Sequence, residues 1–147
     1  MIRIFTVAAA VVLGAGVVVA QDANQGRTVM KANGKAMGAV LAPMVKGEKP
    51  FDQAAVNEAL AQLEETAKKL PTLYPVSLKN AKPDGDYSPS PKIWDEKAEF
   101  DAHIASFGKA VGEAKDKIKD LDTLKANLPV IGKQCSGCHE TFRIKNS

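Results

Sequence analysis

The stretch Ser90–Ile118, SPKIWDEKAEFDAHIASFGKAVGEAKDKI, decides the fold. Ser90 followed by Pro91 supplies a capping hydroxyl and a proline at the first helical position, where a missing N–H leaves no bond unmade. Ile93, Phe100, Ile104, Phe107, Val111, Ala114 and Ile118 then recur at heptad spacing, with Lys97 the one polar member of the series. A helix with one apolar stripe needs other helices or a sheet to cover it. Trp94 reads as an aromatic packed in the core or against a cofactor, and His103, beside Ile104, is expected on the exposed side.

Working outward, more helices appear. Lys119–Asp122 is a short link, and about Thr123 to Lys145 reads as a helix with Leu124, Leu128, Ile131, Cys135, Cys138 and Phe142 inward. Pro129 is expected to bend it, and Arg143 and Lys145 to close it with charge that suits the dipole. Upstream, Asp52 is an N-cap with Phe51 and Val56 as a hydrophobic staple. Val56, Leu60, Leu63, Ala67 and Leu70 form that helix's stripe, and Pro71 ends it. A first helix spans about Asp22 to Lys46 with Met30, Met37, Leu41 and Met44 on one face; Pro43 kinks or shortens it and Gly47 stops it. Residues 71–90 are a long loop with turn signals at Pro83-Asp84-Gly85 and Ser88-Pro89. Strand signals are nearly lacking. Short, long and short connections predict an all-α, antiparallel up-down-up-down four-helix bundle.

The fourth helix carries the chemistry. Cys135-Ser136-Gly137-Cys138-His139 holds both cysteines of the chain, and two thiols three apart with a histidine behind them is the attachment pattern of a c-type haem. Each thiol can become a thioether to the porphyrin, and the imidazole is delivered to the iron. A thioredoxin-like redox pair would sit at a helix N-terminus, which lowers a thiol pKa. A zinc site would need both cysteines and both histidines, yet His103 is more than thirty positions upstream. The expected cofactor is therefore haem c, one per chain.

Met30 is the candidate for the iron's other face. In the expected topology His139 lies about 9 Å from the end of the last helix and Met30 about 10 Å from the start of the first, so they are level. Met37 and Met44 lie about 10 and 21 Å further along. The competing reading is that all three methionines fill core gaps. Gly34 and Gly38 leave room either for the haem plane or for another helix, including one from a second subunit. Arg143, four residues after His139, either sits over the imidazole edge or a propionate or points into solvent, and Arg27 is a candidate propionate contact. The lysines at 68–69 and 115–125 form a solvated face or ring a haem edge and steer an acidic electron partner.

Arg3 precedes an apolar run, Ile4–Val19, and Ala20 is a small residue ahead of Gln21. This reads as a cleaved secretory signal, residues 1–20, followed by one four-helix-bundle domain, residues 21–147. An uncleaved anchor is the rival, although the run barely reaches spanning length. Cleavage removes one charge, Arg3, so the net +3 becomes +2, too mild for a nucleic-acid partner. No further membrane span is expected, and export in a bacterium places the chain in the periplasm.

Helix one with Met30-Lys31, then Gly47-Glu48-Lys49-Pro50-Phe51-Asp52, Pro91-Lys92-Ile93-Trp94 and finally Cys135 to His139 followed by Thr141-Phe142-Arg143 resemble the cytochrome c-prime family, the class II c-type cytochromes. The likeness covers the mature chain and is greatest to the low-spin c-556 branch. It implies thioethers at Cys135 and Cys138, proximal ligation by His139 and Met30 at the distal position. Many family members place an arginine four residues before the distal residue; here Arg27 is three before it. The function then expected is electron carriage between redox partner proteins, not enzymatic, with homodimer formation through the first two helices. The alternative is a five-coordinate, high-spin haem that binds nitric oxide or carbon monoxide.

Overall fold

A computed structural model describes residues 15–83 and 85–146, with side chains from Asn24 onward. Residues 1–14 of the expected signal lie outside the described residues, and its cleavage point falls where only backbone is described. The first helix is α1 (Ala15–Lys35), a π-helical stretch (Ala36–Leu41) and α2 (Ala42–Val45). It begins seven residues before the expected Asp22. The second is α3 (Gln53–Lys69), followed by short 3-10 turns at Leu70–Thr72 and Val76–Leu78. The third is α4 (Lys92–Asp95) and α5 (Lys97–Lys117), and the fourth is α6 (Leu121–Phe142). The protein is an all-α four-helix bundle.

The local chemistry explains these boundaries. Asp52 caps α3 as expected, its carboxylate accepting from Ala55 N at 3.1 Å, and Val56 is fully buried with Phe51 against the core. Gly47, at φ 75°, takes the left-handed turn that ends α2. Pro43 leaves a larger mark than a kink. Without an N–H it cannot bond Ala39 O four residues back, and its ring clashes with a carbonyl there. The helix responds by loosening into the π stretch, where Ala42 N reaches five residues back to Met37 O. The freed Ala39 carbonyl accepts from Lys49 Nζ at 3.1 Å. The wider turn breaks the methionine stripe: Met30 and Met37 are half-buried on one side, whereas Met44 is buried in the core.

The heptad of the third helix holds, with one adjustment. Ile93, Phe100, Ile104, Phe107, Val111, Ala114 and Ile118 are all buried. Glu96, at φ −116° and ψ 45°, interrupts the helix just before Lys97. The break releases Lys97, the misfit of the series, to the surface, where it pairs with Asp101.

Two expectations fail at the end of the fourth helix. It starts earlier, on an Asp120–Thr123 capping box in which Thr123 N donates to Asp120 Oδ1 at 2.8 Å. It also stops at Phe142, and Arg143 is extended, at φ −125° and ψ 135°. Arg143–Lys145 forms a strand, β2, antiparallel to β1 (Tyr87–Pro89), with Tyr87 opposite Lys145 and Pro89 opposite Arg143. The chain end thus fastens the 71–90 segment, which lies as a strap beside the bundle. Ser90 N to Phe142 O at 3.0 Å and Asn146 N to Asp86 O at 2.9 Å extend the ladder at both ends. The helix runs through Pro129 without interruption, with that ring on the exposed side.

Candidate haem-binding site

Between the second half of α1, the strap, and the facing parts of α5 and α6 lies a cavity of about 600 Å³. Leu70, Leu78, Ile93, Phe100, Ile104 and Phe107 give it an apolar wall. All seven candidates from the sequence line it: Cys135, Cys138 and His139 from α6, Met30, Arg27 and Gly34 from α1, and Arg143 from β2.

Helical spacing puts both thiols and the imidazole on adjoining turns of α6, each half-buried. The thiols are free, and burial raises both of their pKa values, Cys138 to about 11 with Cys135 adding to the shift. Protonated thiols late in a helix are the reverse of a thioredoxin-like pair. Among the described residues no cluster of three or more His, Cys, Asp or Glu is arranged for a metal ion. Burial, then the Arg143 charge, lowers the His139 pKa, so its imidazole is neutral at neutral pH and has a lone pair for a metal.

The surroundings correct several expectations. Arg143 does not reach the imidazole by helical spacing, because the helix has ended. Its guanidinium lies over the Tyr87 ring, 4.2 Å from the centroid, although it still borders the cavity. Arg27 reaches across to the strap, its Cζ 3.6 Å from where a Cβ on Gly85 would stand. A Cβ on Gly34 would meet nothing within 4 Å, so within this chain that glycine leaves open space and seats no neighbouring helix. Met37, expected too far along α1, also lines the cavity, which extends from Gly26 to Met37, about 16 Å at the helical rise. His103 is not on the exposed side: half-buried, it lines the cavity and stacks edge-on with Phe142 at 5.6 Å. Trp94 is structural, donating Nε1 to Tyr74 O at 3.0 Å. The lysines of α5 do not line the cavity.

Tyr74 was not visible from the sequence. Its ring lines the cavity, meets Phe100 edge-on at 5.9 Å, and has its hydroxyl 3.3 Å from where Gly26 would carry a Cβ. Burial, with Cys138 adding to it, pushes its pKa up to about 12, so the phenol stays protonated. Its signal was an aromatic between Pro71 and Pro75 in a segment otherwise read as loop.

An apolar volume of this size in a close-packed bundle, entered by two thiols, a neutral imidazole and a thioether, has the donors and the dry walls that a covalent haem requires. Comparison with known proteins gives the same answer. The family profile described as Cytochrome C' matches residues 22–143. The chain belongs to the cytochrome c' family. Cytochrome c-556 of Rhodopseudomonas palustris is 55% identical over 148 residues, covering 99% of each chain, and cytochrome c' of the same organism is 42% identical over the same length. An NMR-validated structural model of oxidized R. palustris cytochrome c556 superposes with TM-score 0.77 at 54% identity, covering 87% of this chain and 99% of that one. As in this family generally, the cofactor is one covalent haem c per chain.

Proposed function

We propose that this cytochrome c' family member is a periplasmic electron carrier in which Cys135 and Cys138 hold the haem by thioethers and His139 and Met30 are its axial ligands. The observation that carries the proposal is that α6 and α1 present His139 and Met30 to the same cavity. Bound there, the haem supplies a one-electron iron couple. The chain's own residues decide how that couple behaves. His139, held neutral by burial, offers a lone pair at neutral pH. A Met30 thioether opposite it favours reduced iron and raises the potential. The apolar wall offers few dipoles to reorganise, which limits the reorganisation that accompanies each electron. Pairing of two copies through the first two helices belongs to the same proposal. Among the described residues no helix is long and apolar enough to cross a membrane.

A second reading, a five-coordinate haem that binds nitric oxide or carbon monoxide, is favoured by the apolar lining beside Met30 and Met37. Visible spectra of the oxidised and reduced protein, before and after adding carbon monoxide, separate the two. The carrier reading expects a low-spin spectrum that carbon monoxide leaves unchanged, converted by Met30→Ala into a high-spin, carbon-monoxide-binding one. A wild-type protein that is already high-spin and binds the gas readily supports the second reading. A Met30→Ala protein that stays low-spin removes Met30 from the iron and points to another donor on the same wall.

A further inference from the structure

The two lysine-bearing sides of the molecule differ in how their charge is balanced. Each lysine of α5 has a carboxylate partner: Lys97 with Asp101, Lys109 and Lys117 with Glu113, and Lys115 with Glu64. That side is neutralised from within. Around the cavity, Arg27, Lys31, Lys79, Lys82 and Arg143 are cationic, and Asp86 is the one carboxylate among the described lining residues. Lys145 adds a charge across the ladder from Tyr87. Lys79 is paired with Asp95, but Lys31, Lys82 and Lys145 are exposed, and among the described residues they have no carboxylate within ion-pair distance.

Exposed apolar groups occur on the same segments of chain. The large hydrophobic side chains exposed among the described residues are Val76, Tyr87, Val130 and Ile144, and three of these four belong to the strap or to the strand that fastens it. Tyr87, 44% exposed, stands opposite Lys145 in the ladder, and Arg143, on the same face, lies over its ring, whereas Ile144 faces the other side. A Tyr–Arg pair with the unpaired Lys145 on the same face and the unpaired Lys82 on the same cavity rim has the composition of a protein contact surface. Cations at its edge raise the encounter rate with a partner of opposite charge and limit wrong pairings.

We infer that the strap face, formed by Lys82, Tyr87, Arg143 and Lys145, is the docking surface for an acidic redox protein, which meets the cytochrome beside its cavity. This inference rests on the carrier reading and adds the partner's chemistry and place of contact. The α5 side, with its charges already paired, has no comparable pull on an acidic surface.

The test uses the haem-loaded ferrous protein, mixed at about 0.01 M ionic strength, where screening is weak. The oxidants are hexacyanoferrate(III), an anion, and tris(phenanthroline)cobalt(III), a cation. Lys82→Glu with Lys145→Glu should slow oxidation by the anion about tenfold and speed oxidation by the cation, both effects fading near 0.5 M salt. Lys109→Glu with Lys117→Glu on α5 should change either rate less than about twofold. For the protein contact itself, poly-L-glutamate titrated into the labelled wild type should shift amides of the strap and of β2. Slowing with both oxidants, an equal effect from the α5 pair, or amide shifts centred on α5 overturns the docking surface while the carrier reading stands. A wild-type protein that neither oxidant can oxidise overturns the carrier reading, and this inference with it.

Discussion

At one end of the bundle Leu41, Val56, Leu60, Val111 and Leu124 are fully buried, and Gln53 Nε2 ties the start of α3 to Ile118 O at 3.2 Å. At the other, Met30, Met37, Cys135, Cys138 and His139 are half-buried around about 600 Å³ of open volume. The same helices and the same apolar periodicity build both ends. At the first, stripe meets stripe and side chains fill the gap, so stability resides in packing. At the second, the facing parts of α1, α5, α6 and the strap leave the volume between them unfilled. A covalent haem held there would provide the missing core. The filled end specifies the fold, and the hollow end specifies the chemistry.

That division can be broken by mutation. The largest stability effect is expected at the filled end: Leu60→Ala removes a fully buried side chain and should cost about 2–5 kcal/mol in chemical denaturation, with the visible spectrum unchanged. Met30→Ala at the hollow end should do the opposite, changing the spectrum while costing much less stability. Equal destabilisation by the two would erase the distinction between the ends.

A smaller effect sharpens the description of the hollow end. Tyr74 has a folded pKa of about 12 against about 10 for a free phenol. Between those values the folded state keeps its proton while the unfolded state loses it, so stability falls as pH rises. The loss should reach about 2–3 kcal/mol across the window from pH 10 to 12. Tyr74→Phe should flatten that part of the stability profile, measured by denaturation at each pH. An unchanged slope would mean that the ring is not buried in the cavity wall.

The smallest expected effect concerns Gly38, which is exposed in the π stretch with nothing within 4 Å of where a Cβ would stand. Gly38→Ala should stabilise the monomer by about 0.5–1 kcal/mol, seen as a higher denaturation midpoint. A loss of stability there would mean that something outside this chain, such as a second copy, approaches the glycine closely.

Much of this was legible beforehand for definite reasons. The heptad from Ile93 to Ile118 and the stripe from Val56 to Leu70 are local patterns, and each became a buried face. Asp52 and Gly47 act through neighbours within a few residues, so their roles could be read directly. The helix pairing followed from connection lengths, and Met30 and His139 line the same cavity. The β1–β2 ladder was not legible, because Tyr87–Pro89 and Arg143–Lys145 are three-residue segments far apart in the chain with no alternation of their own. With the ladder unseen, Arg143 was placed on a helix it does not extend. His103 was placed outside by the residues beside it, whereas a cavity next to α5 gave its ring an inward place.

By itself the sequence determined the helices, their order and the cofactor, because periodicity, capping and a five-residue attachment motif act over short spans. Only the tertiary structure decided which surface surrounds the cavity and how the chain's end fastens the strap. It also decided that Pro43 is absorbed by a π turn. These outcomes depend on contacts between residues distant in the chain, and no local pattern encodes the volume that remains when four helices fail to close completely.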